Sequence, residues 1–312
     1  MKKAILFFLL ISNIVSAQDS EVRKVYLDSL FKEIESTEGA YYRVVEDENS
    51  QKEEYNFKIF YKSGKIYKEG KTRSATSLLE SGLITLFYEN GNKKEQYSIT
   101  KGNLYDTRIS WYENGVKKSV KEYYKEKTDI KSTEKILQFW NPDNVQKVID
   151  GNGFFEDEEN GCYEKGILQN GVRVGKWEGN DTKFHITFKE EYENGKLING
   201  VSIDSSGLEN RYTIIQEGAK PRKGYEHFYN YIGKKFKFNK TTEGISGKII
   251  LSFVVEKDGS ISDIRILRSA GEGLDNESIR LIKAYPDWEP GKYRGKNARI
   301  LFSIPITIKD PH

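Results

Sequence analysis

One cysteine, three histidines and six prolines are all that 312 residues contain of these types. A single cysteine, Cys162, excludes an internal disulfide framework, and its place beside Tyr163 in a β-prone run predicts a half-buried strand residue. His185, His227 and His312 are far apart, and none has a Cys or His neighbour at zinc-ligand spacing. His185, between Phe184 and Ile186, is expected on the exposed side of a strand. No Gly-x-Ser-x-Gly turn and no phosphate-cradling glycine loop occurs. The acidic runs Glu46–Glu54 and Glu156–Glu159 are expected as exposed loops between strands; the second lacks the spaced oxygen ligands of a calcium loop. Charge of one sign is lacking too. Fifty basic residues face 47 acidic ones, interspersed, which is not a nucleic-acid footprint. No enzymatic activity, cofactor, metal, nucleic-acid partner or small-molecule substrate is therefore expected.

Long apolar runs are absent except at the start. Met1-Lys2-Lys3 is positively charged, Ala4 to Ile14 is mostly apolar, and Val15-Ser16-Ala17 ends in small residues before Gln18. That layout predicts a secretory signal peptide over 1–17, cleaved after Ala17. The run falls short of the roughly 20 apolar residues that span a bilayer, so export to the periplasm is favoured over an inner-membrane anchor. Residues 18–38 are read as carrying a short amphipathic helix from Val22 to Ile34.

Aromatics are abundant: 20 Tyr, 16 Phe and 4 Trp. Many of them precede a turn. Phe60-Tyr61-Lys-Ser-Gly64, Phe87-Tyr88-Glu-Asn90-Gly91, Trp111-Tyr112-Glu-Asn114-Gly115, the degenerate Phe139-Trp140-Asn-Pro-Asp-Asn144, Leu168-Gln-Asn170-Gly171 and Glu191-Tyr192-Glu-Asn194-Gly195 repeat one pattern. Gly91 to Gly115 and Gly171 to Gly195 are each 24 residues apart. A fixed period of this size means stacked supersecondary units. Here the unit is a β-hairpin: aromatic strand, Asn-Gly turn, then a strand opening on Lys. Several in series bury a shared face, with aromatics pairing across strands. These copies resemble variant MORN repeats, best from Gly171 to Gly179. The resemblance implies a twisted antiparallel sheet over 39–217 rather than a particular function.

Gly218 to Gly224 combines breakers with charge and is expected as a linker. A short helix follows at Tyr225–Ile232. Beyond it, Gly247 to Val255 and Ile261 to Arg268 are strand-like runs meeting at Asp258-Gly259, a dipeptide that favours a type I′ hairpin. Ile249, Leu251, Phe253 and Val255 share one face. Leu274, Ser278, Leu281, Ile282 and Tyr285 make one helical stripe that Pro286 stops. The last run alternates: Ala298, Ile300, Phe302, Ile304, Ile306 and Ile308 point one way, Arg299, Ser303 and Thr307 the other, broken by Leu301 and Pro305. A proline confines a strand to a sheet edge.

Gly244 to Gly247, Phe253 to Ile261 with Asp258-Gly259, Leu274-Asp275 with its helix, and Tyr285-Pro286-Asp-Trp288-Glu-Pro290-Gly291-Lys292 before the final strand resemble the C-terminal domain of TonB proteins. The resemblance covers about the last 90 residues of the chain. The expected architecture is thus mainly β, an antiparallel hairpin-repeat sheet followed at 218–312 by a ββαβ α+β domain. The resemblance implies that the final strand, through Ala298, Arg299, Ile300, Leu301, Phe302, Ser303 and Ile304, captures a short peptide of an outer-membrane TonB-dependent receptor by β-strand addition. Self-pairing into a homodimer is the other use of an open edge. A membrane-anchored energy transducer, or a structural repeat protein with a repurposed C-terminal domain, are the alternatives. Against the transducer, no histidine precedes His185 and no proline-rich span is present.

Overall fold

The computed structural model describes residues 23–46, 52–100, 103–125, 132–238 and 246–309. The export segment, most of the 46–54 acidic run, Gly244, Ile245 and His312 lie outside them. The chain divides into two compact units. One runs to Glu134 and includes Pro142–Asn144; the other holds Lys135–Asn141 and Val145 onward.

The first unit holds β1 (Val25–Leu27), β2 (Glu33–Ile34), β3 (Tyr41–Val45), β4 (Tyr55–Tyr61), β5 (Ile66–Thr72), β6 (Glu80–Phe87), β7 (Lys93–Thr100), β8 (Asn103–Trp111) and β9 (Lys117–Lys125). From β3 to β9 each strand pairs antiparallel with the next. Leu27, Val45, Phe57, Ile59 and Ile84 form its buried core. The helix expected at Val22–Ile34 is a hairpin instead: β1 pairs with β2 and β3. The cause is local. The Asp28 carboxylate accepts from the amides of Leu30 and Lys32, at 2.8 and 2.9 Å, and Phe31 turns to φ 60°. Such short-range side-chain bonds compete with helix formation.

The repeat turns are where expected, but in two forms. At Tyr61–Lys65, Tyr88–Asn92 and Tyr112–Val116 the loop has three residues. The glycine amide donates three residues back, and the tyrosine amide bonds across the loop. The ladder slips one residue at Phe60, Phe87 and Trp111, beside these loops. This is a type I turn closed by a left-handed glycine rather than type I′. Each loop also binds the next repeat. Tyr61 and Tyr88 hydroxyls donate to the carbonyls of Phe87 and Trp111, both at 2.8 Å. Asn90 Nδ2 donates to Glu113 O at 2.8 Å.

The second unit continues with β10 (Ser132–Trp140, from Lys135), β11 (Gln146–Ile149), β12 (Asn152–Glu159), β13 (Cys162–Gln169), β14 (Val172–Asp181), β15 (Ile186–Glu193), β16 (Lys196–Asp204) and β17 (Glu209–Tyr212), again paired in succession. Here Asn160-Gly161, Asn170-Gly171 and Asn194-Gly195 have positive φ at both residues and join strands by two-residue type I′ turns. Phe139, Val148, Phe155, Leu168, Trp177 and Tyr192 are its core. Cys162 is half-buried at the start of β13, as expected. His185 is exposed but sits in a turn at φ 52°, not in a strand.

The remaining elements are β18 (Gln216–Glu217), β19 (Lys220–Pro221), α1 (Gly224–Lys235), β20 (Gly247–Val255), β21 (Ile261–Arg268), α2 (Glu272–Ala284), β22 (Trp288–Glu289), β23 (Gly291–Tyr293), β24 (Lys296–Ala298) and β25 (Ile300–Ile308). Both helices cover a three-stranded sheet ordered β21-β20-β25. The core-facing residues of β20 and the five-residue α2 stripe are all buried. The expected linker is not free chain. β18 pairs with β23, and β19 with β22, so residues 216–221 are stitched into the C-terminal domain.

Candidate functional site

Two features of the C-terminal domain stand out, an open strand edge and a hairpin buried in the repeat sheet. The edge is β25. Its nine residues pair with β20 in unbroken antiparallel register, from Ile300 opposite Val255 to Ile308 opposite Gly247. Among the described residues β20 is its one ladder partner. Ile304, Ile306 and Ile308 are buried on the helix side, with Ile300 and Phe302 half-buried beside them. Leu301, Ser303, Pro305 and Thr307 are exposed on the other face.

The strand begins later than the sequence pattern indicates. Ala298 belongs to β24 and pairs with Gly291, and Arg299 falls between strands. The Arg299 guanidinium binds Glu256, at 2.9 Å, and Asp263. Alternation runs through 298–308, but the break at 299 lets the chain leave one ladder for another. Ile300 to Ile304 are the predicted residues that lie together on the edge.

The backbone of β25 has a direction that side-chain pattern does not give. Tyr229 of α1 donates its hydroxyl to Pro305 O at 3.2 Å. Proline has no N–H to give a ladder, so its carbonyl faces away from β20. Backbone groups alternate sides along a strand. Leu301, Ser303 and Thr307 therefore aim their N–H and C=O to the same open side.

The other predicted residues are not part of this edge; they build a hub behind it, against Ile300 and Phe302. Trp288, 1% exposed, is ringed by Phe228, Phe253, Tyr285 and Phe302 at centroid distances of 5.5, 5.1, 6.0 and 5.3 Å. The β20–β21 turn lies against it. A Cβ on Gly259 would come within 2.7 Å of Trp288 O, and Gly259 has φ +87°. Only Gly259 of the Asp-Gly pair is left-handed, so the type I′ expectation gives way to the three-residue loop of the early repeats. The Asp258 carboxylate caps that loop through the Ser260 hydroxyl and amide, at 2.6 and 2.9 Å, which hold its pKa below the usual range. Pro286 follows the end of α2. Pro290 precedes Gly291, where a Cβ would meet Ile300 Cγ1 at 2.5 Å and Glu217 O at 2.7 Å.

The second feature was not visible in the sequence. The β23–β24 hairpin carries Arg294 at its tip, at φ 47° and 3% exposed. Its Nε donates to Glu190 Oε1 at 2.8 Å, Nη1 donates to the Tyr293 hydroxyl at 2.7 Å, and the guanidinium lies 3.5 Å over the Phe188 ring. Glu190, also 3% exposed, accepts from the Tyr212 and Tyr192 hydroxyls at 2.7 and 2.8 Å. Tyr293 donates to Asp181 at 3.0 Å and stacks on Phe184 at 4.2 Å. The Ser202 hydroxyl donates to Arg294 O at 2.7 Å. Burial pushes the Tyr192, Tyr212 and Tyr293 phenols upward, so they stay protonated as donors. Burial also raises the Cys162 thiol, 3.7 Å from Arg294 Nη1. Every donor in this cluster is aimed at another member. It fixes the C-terminal domain to strands β13–β17.

Among the described residues no helix is long and apolar enough to cross a membrane. Residues 240–308 match the family model described as Gram-negative bacterial TonB protein C-terminal. That match covers the α2 helix, Trp288 with Phe253, Tyr285 and Phe302 of its hub, and the whole of β25. No curated protein matches the chain.

Proposed function

Starting from a C-terminal segment that matches the TonB C-terminal family, we propose that this protein is exported to the periplasm and captures an extended segment of an outer-membrane receptor. The segment adds as a strand beside β25, along Ile300–Ile304. The repeat sheet serves as the body that carries the capturing domain.

The observation behind this reading is the contrast between the two edges of the three-stranded sheet. On the β21 side the ladder slips twice, next to Ile250 and Ser252, and Asp263 sits at φ 49°. Bulges and charged side chains, here Asp263, Arg265 and Arg268, are the usual means of blunting an edge. The β25 side has no slip and presents Leu301 and Ser303, whose outward backbone groups have no ladder partner among the described residues. One edge is guarded and the other is left straight. Main-chain bonds along a straight edge supply affinity in strand addition.

The test is binding of synthetic receptor plug segments to the full exported chain and to Ser303→Pro. That variant removes an outward N–H while sparing the ladder to β20. Loss of binding in Ser303→Pro, with unchanged thermal unfolding, is expected. Equal binding by both proteins counts against capture at this edge. N-terminal sequencing of the exported protein checks the other half: a start at Gln18 is expected, and an intact Met1 end in the inner membrane favours an anchored transducer. Light scattering distinguishes a monomer from a self-paired dimer.

A further inference from the structure

The open side of β25 is interrupted. At Pro305 there is no N–H, and the carbonyl is taken by the Tyr229 hydroxyl at 3.2 Å. That rung offers a guest no donor, and its one acceptor already holds a hydrogen bond. One helical turn earlier, Tyr225 lies parallel to Phe302, with centroids 6.5 Å apart and planes at 16°. Both tyrosines stay well exposed, 47% for Tyr225 and 41% for Tyr229. Helix α1 thus borders the edge between Phe302 and Pro305 with two phenol rings. Its inner face is anchored by the buried Phe228 and Ile232.

Resting on the capture reading above, we propose that Tyr229 is a stop that sets the length of the captured segment, and that Tyr225 selects its middle side chain. The usable rungs are Leu301 and Ser303. Two outward-facing residues pair with a segment of about five residues, opposite Ile300 to Ile304. The middle residue of that segment lies opposite Phe302. Side chains of paired residues point to the same face, so it points toward α1 and meets Tyr225. This holds for parallel and antiparallel guests alike, because the middle of the segment is the same from either end. The partner is therefore a short extended peptide with a large apolar or aromatic third residue, followed by chain that leaves the sheet.

The test uses the full chain and fluorescent synthetic peptides of Thr and Val carrying Phe or Ala at the third position. They are made in lengths of about five and seven residues. Wild type is expected to bind both lengths equally and to prefer Phe over Ala by about tenfold. Tyr229→Phe keeps the ring but frees the Pro305 carbonyl. It should make the longer peptide the better binder by roughly three- to tenfold, the worth of one added hydrogen bond. Tyr225→Ala should weaken the Phe peptide about tenfold and leave the Ala peptide unchanged. If peptides bind and are lost in Ser303→Pro, but length and third-residue preferences are absent or unmoved by these variants, this inference is overturned and edge capture stands. If no peptide binds in a way sensitive to Ser303→Pro, both fall.

Discussion

Trp288 and Arg294 stand six residues apart and are almost equally buried, at 1% and 3% exposed. Trp288 is surrounded by rings and holds the C-terminal domain to itself. Arg294 is surrounded by hydroxyls and carboxylates and holds that domain to the repeat sheet. The two differ in what their removal leaves behind. Around Trp288 it leaves a space that apolar neighbours can partly refill. Around Arg294 it leaves the buried Glu190 without its closest cation, with Arg173 Nη1 3.9 Å away and the two tyrosine hydroxyls as what remains. The cost of losing an apolar residue follows the volume removed, whereas that of losing a buried ion follows the partner that stays.

The sharpest way to break this contrast is Arg294→Met. It is expected to destabilise the second unit by about 3–5 kcal/mol, read from urea unfolding. Adding Glu190→Leu to Arg294→Met should recover part of that loss, since the carboxyl that lost its closest cation goes too, while the Tyr192 and Tyr212 hydroxyls lose their acceptor. A double variant no more stable than the single one would mean that packing, not charge, dominates at the hairpin tip. Trp288→Phe is expected to cost about 1–2 kcal/mol. Among the described residues the Trp288 ring nitrogen has no hydrogen-bond partner, so no such contact is lost with it. Gly291→Ala should cost about 1–3 kcal/mol, because its Cβ would meet both Ile300 and the Glu217 carbonyl. Asn90→Ala, on an exposed loop of the first unit, should cost about 1 kcal/mol, from the loss of its bond to the next repeat.

The smallest effect concerns Asp204. The Ser206 hydroxyl, with backbone amides and Lys296, pushes its carboxyl down to about 2. A folded value below the unfolded one of about 3.9 means its stabilisation is complete above that pH and is lost as pH falls toward 2. Asp204→Asn should flatten the acid limb of a stability-versus-pH curve in that window.

Much of the C-terminal fold could be read from residue order. Alternation in Gly247–Val255 and the Leu274-Ser278-Leu281-Ile282-Tyr285 stripe are local periodicities, and each placed its buried face correctly. Pro305 told of an edge because a missing N–H is a property of the residue itself. Turn positions were legible, but turn types were not. Asn-Gly gives a three-residue loop after Tyr-Glu in the early repeats, and a two-residue turn at Asn170-Gly171. The number of residues left unpaired depends on ladder register, which the dipeptide does not encode. Val22–Ile34 misled because an imperfect apolar stripe was weighed without the capping side chain of Asp28. The linker misled because Gly, Pro and Lys mark a change of structure without saying whether the backbone finds partners. Glu190 was invisible: nothing local separates it from Glu191, and its cation lies 104 residues on. Tyr225 and Tyr229, four apart on a short helix beside a proline-bearing strand, were the one available sign of a lined edge.

The Arg294 hairpin has a mechanical consequence. With β18 and β19 stitched into the C-terminal domain and the hairpin tip bolted between β13 and β17, tension applied to the last strand meets paired backbone on its way to the strands of the second unit. It passes along nine rungs loaded together in shear and out through the ionic bolt into the repeats, so the assembly should transmit a tug as a stiff coupling rather than as a tether.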